Sequence, residues 1–373
     1  HEESILMKKT YERSLFDLSR NEFSEALSDQ PAFRVKQVWE GLYENLKPIE
    51  EISNLPKTLR FELAQTHPMA LTEARSSITD DGDTHKWLWS LVDGSQVETV
   101  LMKYPKRATV CVSSQAGCAM ACSFCATGQA GYDRNLTVGE IMEQVIRSAR
   151  AAAPRRVSNV VFMGMGEPLA NTDVVWEAIN RIHRDIGLSA RSITLSTVGM
   201  VPGIRKVTEF DLPVTLAVSL HAANNELRNE MIPINKRYPL DMLADSLIAY
   251  RSAKGRRVSF EWAMIDGVND RTSDAHELAE LSRQVRAHVN LIPLNPTPGF
   301  GVPGTPPARI AAFAEQLADL GVNATVRRTR GVEIDAACGQ LAFRARQEAG
   351  EQISAPVSIS TRAGGNAPSS PTV

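Results

Sequence analysis

Cysteine is scarce in this chain, with five in 373 residues, an odd number. That excludes the paired disulfide framework of a small secreted domain and points to reduced thiols in a cytoplasmic protein. Long apolar runs are missing as well. None approaches the roughly 20 residues that span a bilayer, and the opening HEESILMKKT has no stretch of signal-peptide type, so no membrane partner is expected. A charge excess is also lacking, the formal net charge being −2. The average hides an asymmetry: residues 1–90 hold 11 Lys/Arg against 16 Asp/Glu, and the remainder is net basic. Its cations cluster at Lys103, Lys106 and Arg107, at Arg155 and Arg156, at Arg251, Lys254, Arg256 and Arg257, and at Arg327, Arg328 and Arg330. Such clusters are commonly solvated faces; converging on a catalytic mouth they would form a phosphate footprint. With 43% hydrophobic residues the chain has material for a large core and two domains.

Three of the five cysteines stand together as Cys118-x3-Cys122-x2-Cys125, with Phe124 before the last. A cubane of four irons and four sulfides normally takes four thiolates, one per iron. Three thiolates from one tight loop leave an iron open for a small molecule to chelate. The spacing resembles the radical S-adenosylmethionine (SAM) superfamily, in which the methionine end of SAM binds that iron. The competing readings are a zinc site with a borrowed fourth ligand, or unconnected thiols. Zinc signatures usually pair two dyads, and no second dyad is present.

The first 75 residues read as helical, with Phe33, Val38, Trp39, Leu42 and Tyr43 at helix-like spacing and Pro48 and Pro56 as punctuation. A β-rich passage follows, over Arg75–Ile78, Lys86–Leu91 and Val97–Met102. Its turns carry Asp81-Gly82 and Asp93-Gly94, residues that reach positive φ without strain. From residue 108 short β-branched runs alternate with helical stretches. Strands are expected at Thr109–Val112, Asn159–Phe162, Ser192–Leu195, Val214–Ser219, Val258–Trp262 and Val289–Ile292, with Ala324–Arg328 as a final addition. That alternation argues for right-handed βαβ units. The fold class expected is α/β, a partial (β/α)6 radical-SAM barrel with an N-terminal helical accessory domain and a β-hairpin extension. The divisions expected are 1–75, an RNA-binding accessory domain; 76–107, the hairpin extension; 108–350, the core; and 351–373, a Ser/Pro/Gly-rich disordered tail.

In such barrels the site lies at the carboxyl ends of the strands, where the cysteine loop falls. After the second strand comes Gly164-Met165-Gly166-Glu167-Pro168. Glycines there let backbone approach a ligand closely; Gly166 and Glu167 are the candidates for holding the amino group of SAM. Alone, the motif is an ordinary strand-to-helix turn. Polar residues end other strands: Ser196 in TLSTVG; Ser219, Leu220 and His221 in VSLHA; Asn295 in LIPLNP. Each is commonly a turn residue by itself, and together they suit ribose and carboxylate contacts.

The segments VETVLMKYPKRATVCVSSQAGCAMACSFCATG, FMGMGEPL, STVGMVPGI, SLHAAN, MIPIN, LIPLNP and RGVEIDAACGQL together resemble the RlmN-type dual-specificity RNA methyltransferases, over about residues 30–350. The resemblance implies methylation of carbon 2 of an adenosine in 23S rRNA and in tRNAs, with one [4Fe-4S] cluster on Cys118, Cys122 and Cys125 and two SAM molecules per turnover. Carbon 2 is electron-poor and offers no nucleophile, so the family first methylates the cysteine matching Cys338. A radical from the second SAM then takes hydrogen from that S-methyl group, and the carbon radical adds to the ring, a form of covalent catalysis. Glu98 matches the general base. Cys111 matches the thiol that attacks Cys338, leaving a transient disulfide and freeing the RNA. By residue type alone Glu98 is equally a solvated strand residue, and Cys111 and Cys338 are buried small hydrophobes.

An enzyme acting on a base must take it out of its stack, and Arg327, Arg328 and Arg330 are expected to grip nearby phosphates. A flavodoxin or ferredoxin is the expected electron donor and a monomer the expected state. The nearest alternative is the related methyltransferase acting on carbon 8 of the same adenosine. A zinc-stabilised, non-catalytic RNA-binding protein and a radical-SAM enzyme with a protein or metabolite substrate are the others.

Overall fold

A computed structural model describes residues 13–295 and 300–327. Capping chemistry starts the chain. Ser14 with Asp17, and Ser19 with Glu22, form reciprocal side-chain and backbone bonds that open a short turn and helix α1 (Arg20–Ala26). Helix α2 (Phe33–Trp39) runs into a π-helical turn over Glu40–Glu44, and α3 (Lys57–Thr66) follows Pro56. The chain then turns to strand at Thr72.

Strands β1 (Thr72–Ile78), β2 (Thr84–Ser90), β3 (Gln96–Tyr104) and β4 (Arg107–Cys111) form an antiparallel meander. Gly82 (φ 70°) and Gly94 (φ 89°) supply the first two turns. The three-stranded extension is continuous with the core sheet, because β3 pairs directly with β4. A two-stranded ribbon of β5 (Gln115–Gly117) and β6 (Tyr132–Asn135) brackets the cysteine loop, with the short helix α4 (Ala126–Gln129) between them.

The remaining strands are β7 (Val157–Phe162), β8 (Ile193–Thr197), β9 (Thr215–Ser219), β10 (Ser259–Met264), β11 (His288–Pro293) and β12 (Ala324–Val326). They continue the sheet in parallel beyond β4, in the order β4-β7-β8-β9-β10-β11-β12. Six helical crossovers link them: α5 (Val138–Ala152), α6 (Thr172–Arg184), α7 (Val201–Glu209), the pair α8 (Asn225–Met231) and α9 (Leu240–Lys254), α10 (Thr272–Val285) and α11 (Pro307–Asp319). With β1 at one edge and β12 at the other, the sheet is an open partial barrel, as its six βα units lead one to expect.

The N-terminal helices share one hydrophobic core with the sheet. Arg181 of α6 is buried and donates to the carbonyls of Phe16 (2.7 Å) and Leu18 (3.1 Å). Asp17 accepts from the Gly139 amide at 2.7 Å, and Glu143 of α5 accepts from the amides of Ala70 and Leu71 at 2.7 and 3.1 Å. Buried polar groups bonded this way fix one docking geometry, since a shift would strand them without partners. No helix among the described residues is long and apolar enough to cross a membrane.

Candidate active site

The carboxyl ends of the parallel strands surround a cavity of about 230 Å3. Cys118, Cys122 and Cys125 line one side; Gly166 and Glu167 after β7, Ser196 at the end of β8, Ser219 at the end of β9 and His221 just beyond it line the other. The expected ligands and most of the expected SAM contacts thus share one space. Leu220 is fully buried in the core, and it supplies backbone only: its amide donates to the Glu261 carbonyl at 3.0 Å. Asn295 lies two residues beyond β11 and is not among the described residues that line the cavity. Cys338, Arg328 and Arg330 fall outside the described residues.

The cysteine loop is held by backbone. The amide of Cys118 bonds the Gly131 carbonyl at 2.7 Å and that of Cys125 bonds the Cys122 carbonyl at 3.2 Å. Cys122 sits in a small apolar cluster with Leu227, Met231 and Phe300. Burial pushes the Cys118 thiol up to about 12, with Cys125 adding to the rise, and pushes Cys122 up as well, with Cys125 and Cys118 as further causes. A thiolate at Cys118 or Cys122 is therefore costly unless cations share the site. Among the described residues no three side chains are gathered as a single metal ion requires. Zinc ligands all lie roughly 2–2.3 Å from one point, whereas a polynuclear cluster takes one thiolate at each of several irons. Three cysteines lining one cavity are compatible with the second case.

The loop after β7 is built for close approach. A Cβ on Gly164 would lie 2.6 Å from the Val112 carbonyl oxygen; Gly166 has φ 101°, and its Cβ would lie 2.6 Å from that of Gln115. Gln115 accepts from the Glu167 amide and donates to Asn135, at 2.8 Å each, tying the cysteine ribbon to this loop. Glu167 is buried, and desolvation raises its pKa to about 7. Its two carboxylate oxygens accept from the amides of Leu169 (2.9 Å) and Val198 (2.8 Å), joining the ends of β7 and β8. The Thr197 side chain bonds the same carboxylate.

His221 holds a left-handed backbone, φ 56°. Asn269 fixes it by donating to the His221 carbonyl at 2.8 Å. The ring Nδ1 accepts from the Ala263 amide at 2.8 Å, so the neutral ring carries its proton on Nε2. Burial, helped by Arg228, holds the pKa down to about 3. Phe124 packs edge-on against this ring at 4.7 Å. Beneath the strand ends Arg228 is wholly buried and donates to the carbonyls of Val198 (2.6 Å), Leu220 (3.1 Å) and Ser219 (3.3 Å).

A second group, outside the cavity lining, reaches it through Cys111, whose thiol meets the backbone of the lining residue Met163. On β3 and β4 Val100 faces Cys111, and Lys86 of β2 faces Val100, so Lys86, Glu98 and Cys111 project from one face of the sheet. Glu98 is 2% exposed, and its carboxylate meets the fully buried ammonium of Lys86 at 2.8 Å. A solvated strand residue it is not. Burial pushes the Cys111 thiol up to about 11, against the opposing pull of Arg327 and Lys86. Arg327, half-exposed, lines the cavity and lies 3.7 Å from Glu261.

Sequence reasoning missed Gln115, Arg228, Asn269 and Lys86. Their signal is three-dimensional, since each completes a bond whose partner lies on another element.

Residues 112–280 match the sequence profile of the Radical SAM superfamily. The chain is 49% identical over 347 residues to a protein of Frankia alni named probable dual-specificity RNA methyltransferase RlmN, covering 88% of this chain and 83% of that one. A protein of the same name from Chloroflexus aurantiacus is 47% identical over 351 residues, covering 89% and 93%. The crystal structure of a radical SAM methyltransferase from Sphaerobacter thermophilus superimposes with TM-score 0.85 at 46% identity, covering 88% of this chain and 98% of that one.

Proposed function

The chain belongs to the RlmN family of dual-specificity RNA methyltransferases, and on that premise we propose that it methylates carbon 2 of an adenosine in 23S rRNA and in tRNAs. The methyl carbon passes through an S-methyl group on Cys338, and two SAM molecules are consumed per turnover. Cys118, Cys122 and Cys125 hold a [4Fe-4S] cluster. When bound, the cluster and SAM supply one-electron cleavage of a sulfonium bond and hence a carbon radical able to take hydrogen. The observation that carries the reading is the single cavity shared by the three thiols and the polar strand ends.

The chain's own residues do the rest. The loop from Gly164 to Glu167 presents backbone to the amino group of SAM, with Glu167 fastening that loop to β8. Ser196, Ser219 and the Nε2–H of His221 face the same space as donors and acceptors for ribose and carboxylate, and Asn295 serves from the loop beyond β11. Glu98 is the base for the ring proton. The Lys86 ammonium holds its carboxylate in place at 2.8 Å. Cys111 then attacks the sulfur of Cys338; the sulfur–carbon bond to the adduct breaks, and a disulfide forms that a cellular dithiol reduces. Arg327, Arg328 and Arg330 steady phosphates beside the flipped adenosine, and the segment 1–75 serves as the RNA-binding accessory region. The core runs over 108–350, after the extension at 76–107, and the tail at 351–373 is dispensable. We place the enzyme in the cytoplasm as a monomer fed by a flavodoxin or ferredoxin.

The test is incubation with an RNA fragment and methyl-deuterated SAM, followed by mass spectrometry of the methylated nucleoside. The expected product carries its methyl on carbon 2, with two deuteriums and one hydrogen from another source. A methyl on carbon 8 would redirect the reading, and a wholly intact labelled methyl would exclude the S-methylcysteine route.

A further inference from the structure

Apart from the one that begins with Arg327 at the mouth, the basic clusters that the structure describes gather elsewhere. Arg107 opens β4, Arg155 and Arg156 precede β7, Arg191 precedes β8, and Arg256 and Arg257 precede β10. All lie at the amino ends of the parallel strands. There a cavity of about 710 Å3 is lined by Arg251, Arg256, Arg257, Arg283 and Arg286, and among the described residues no acidic one lines it.

Helices α9, α10 and α11 end here, and arginines suit helix carboxyl ends. That accounts for part of the cluster: Arg283 donates to the Leu320 carbonyl at 2.9 Å, and Arg256 uses one nitrogen on the Thr215 hydroxyl at 2.8 Å. It leaves a remainder. The Nε groups of Arg251 and Arg256 are buried without a hydrogen-bond partner among the described residues. So is the hydroxyl of Ser282, which is 2% exposed and lines the same cavity. Buried donors left unmet are costly, and five arginines around one concave wall, with no acidic residue among its described lining, describe a place for an oxyanion. Arg286, moreover, holds φ 57° at a helix end where glycine is the cheaper choice.

We propose that this cavity binds phosphate, and that its occupant is the phosphodiester backbone of the substrate RNA, gripped at the end of the barrel away from the reacting base. The inference rests on the reading of RNA as substrate. The polymer fits better than a free ion because the cations continue past the cavity along the strand starts at Arg191, Arg156 and Arg107. Strands of this length hold the two ends about 20 Å apart, a span that a folded RNA covers and a short hairpin does not.

The experiment uses the full chain, prepared anaerobically, and the double variant Arg257→Glu/Arg286→Glu, both positions being exposed. Two probes carry the same target adenosine: a tRNA-sized folded transcript and a short hairpin. For the transcript, Kd should rise about tenfold at physiological salt and the slope of log K against log salt should shrink by about 2, as loss of two phosphate contacts requires. Hairpin binding and hairpin methylation should stay unchanged, Tm should fall by no more than the few degrees that reversed charge at a helix carboxyl end costs, and Arg257→Lys/Arg286→Lys should restore the transcript affinity. An unchanged transcript Kd overturns the proposal, and a matching loss on the hairpin would reassign the arginines to general charge. Saturable stabilisation of the wild type by inorganic phosphate, lost in the variant while transcript binding persists, would make this a small-anion site and overturn the assignment to RNA. Failure of the wild type to bind either RNA would strike the functional reading itself, and the inference with it.

Discussion

The two ends of one parallel sheet have opposite chemistry. At the carboxyl ends the cavity is small, walled by thiols, glycine backbone and a desolvated carboxyl, with half-exposed Arg327 on its rim. At the amino ends the hollow is broad and five arginines line it. Backbone direction explains part of the contrast. Crossover helices run against the strands, so their carboxyl ends collect where strands begin and draw cations. Strand exits are left for loops that can bend sharply around a ligand, as the one through Gly164 and Gly166 does. Radical chemistry needs a dry, closed place, and a long polyanion needs a wide charged one.

The comparison can be broken at the mouth first, where the largest effect is expected. Replacing Cys118, Cys122 or Cys125 by Ser, or Cys338 by Ala, should take methylation below detection. The first three should also strip bound iron, whereas Cys338→Ala should retain it. Full activity in any of the four would dissolve the division of labour. Next comes the buried pair beside the mouth. Lys86→Met takes the ammonium away from the buried Glu98 carboxylate, at a cost of about 3–5 kcal/mol in unfolding free energy. The double variant Lys86→Met/Glu98→Leu should recover most of that stability while remaining inactive, and denaturant titration of all four proteins closes the cycle. If the single change cost nothing, the pair would not be the desolvated contact described here.

Gly166→Ala sharpens the account of close approach. With φ 101° and Gln115 in the way, the loop must shift, and SAM affinity should fall about tenfold or more by calorimetry while iron content holds. The smallest effect concerns acid. His221 is held down to about 3 from an ordinary 6.5, so between those values the unfolded chain binds a proton that the folded chain refuses. The stability is fully present above pH 6.5 and declines as pH falls. About 2 kcal/mol should go between pH 6.5 and 5. His221→Gln should flatten that slope in Tm against pH, and an unaltered slope would place the acid sensitivity elsewhere.

Much of this was legible in the residues. The parallel strands, β4 and β7 to β12, announce themselves by short β-rich runs, and Asp-Gly pairs mark the first two turns of the meander. Three cysteines in eight residues locate the mouth. The burial of Glu98 was not legible, because VET alternates as a half-solvated strand does; only the β2–β3 register brings Lys86 over it. Arg228 sits in NELRNEM, which reads as an exposed helix, and no periodicity reveals that two strand ends need its guanidinium. The ribbon of β5 and β6 is too short to show a pattern. The basic clusters carried a clue that charge counting overlooks: those at 155–156 and 256–257 precede strands, and in a parallel barrel that places them away from the mouth.

The central claim is that the mouth holds an iron–sulfur cluster with one iron left for SAM. Mössbauer spectroscopy of anaerobically prepared, iron-57-enriched protein tests it most directly. The account expects about four irons per chain, one of which changes its spectrum when SAM is added. Bound zinc in place of iron, or a cluster whose four irons ignore SAM, would contradict it.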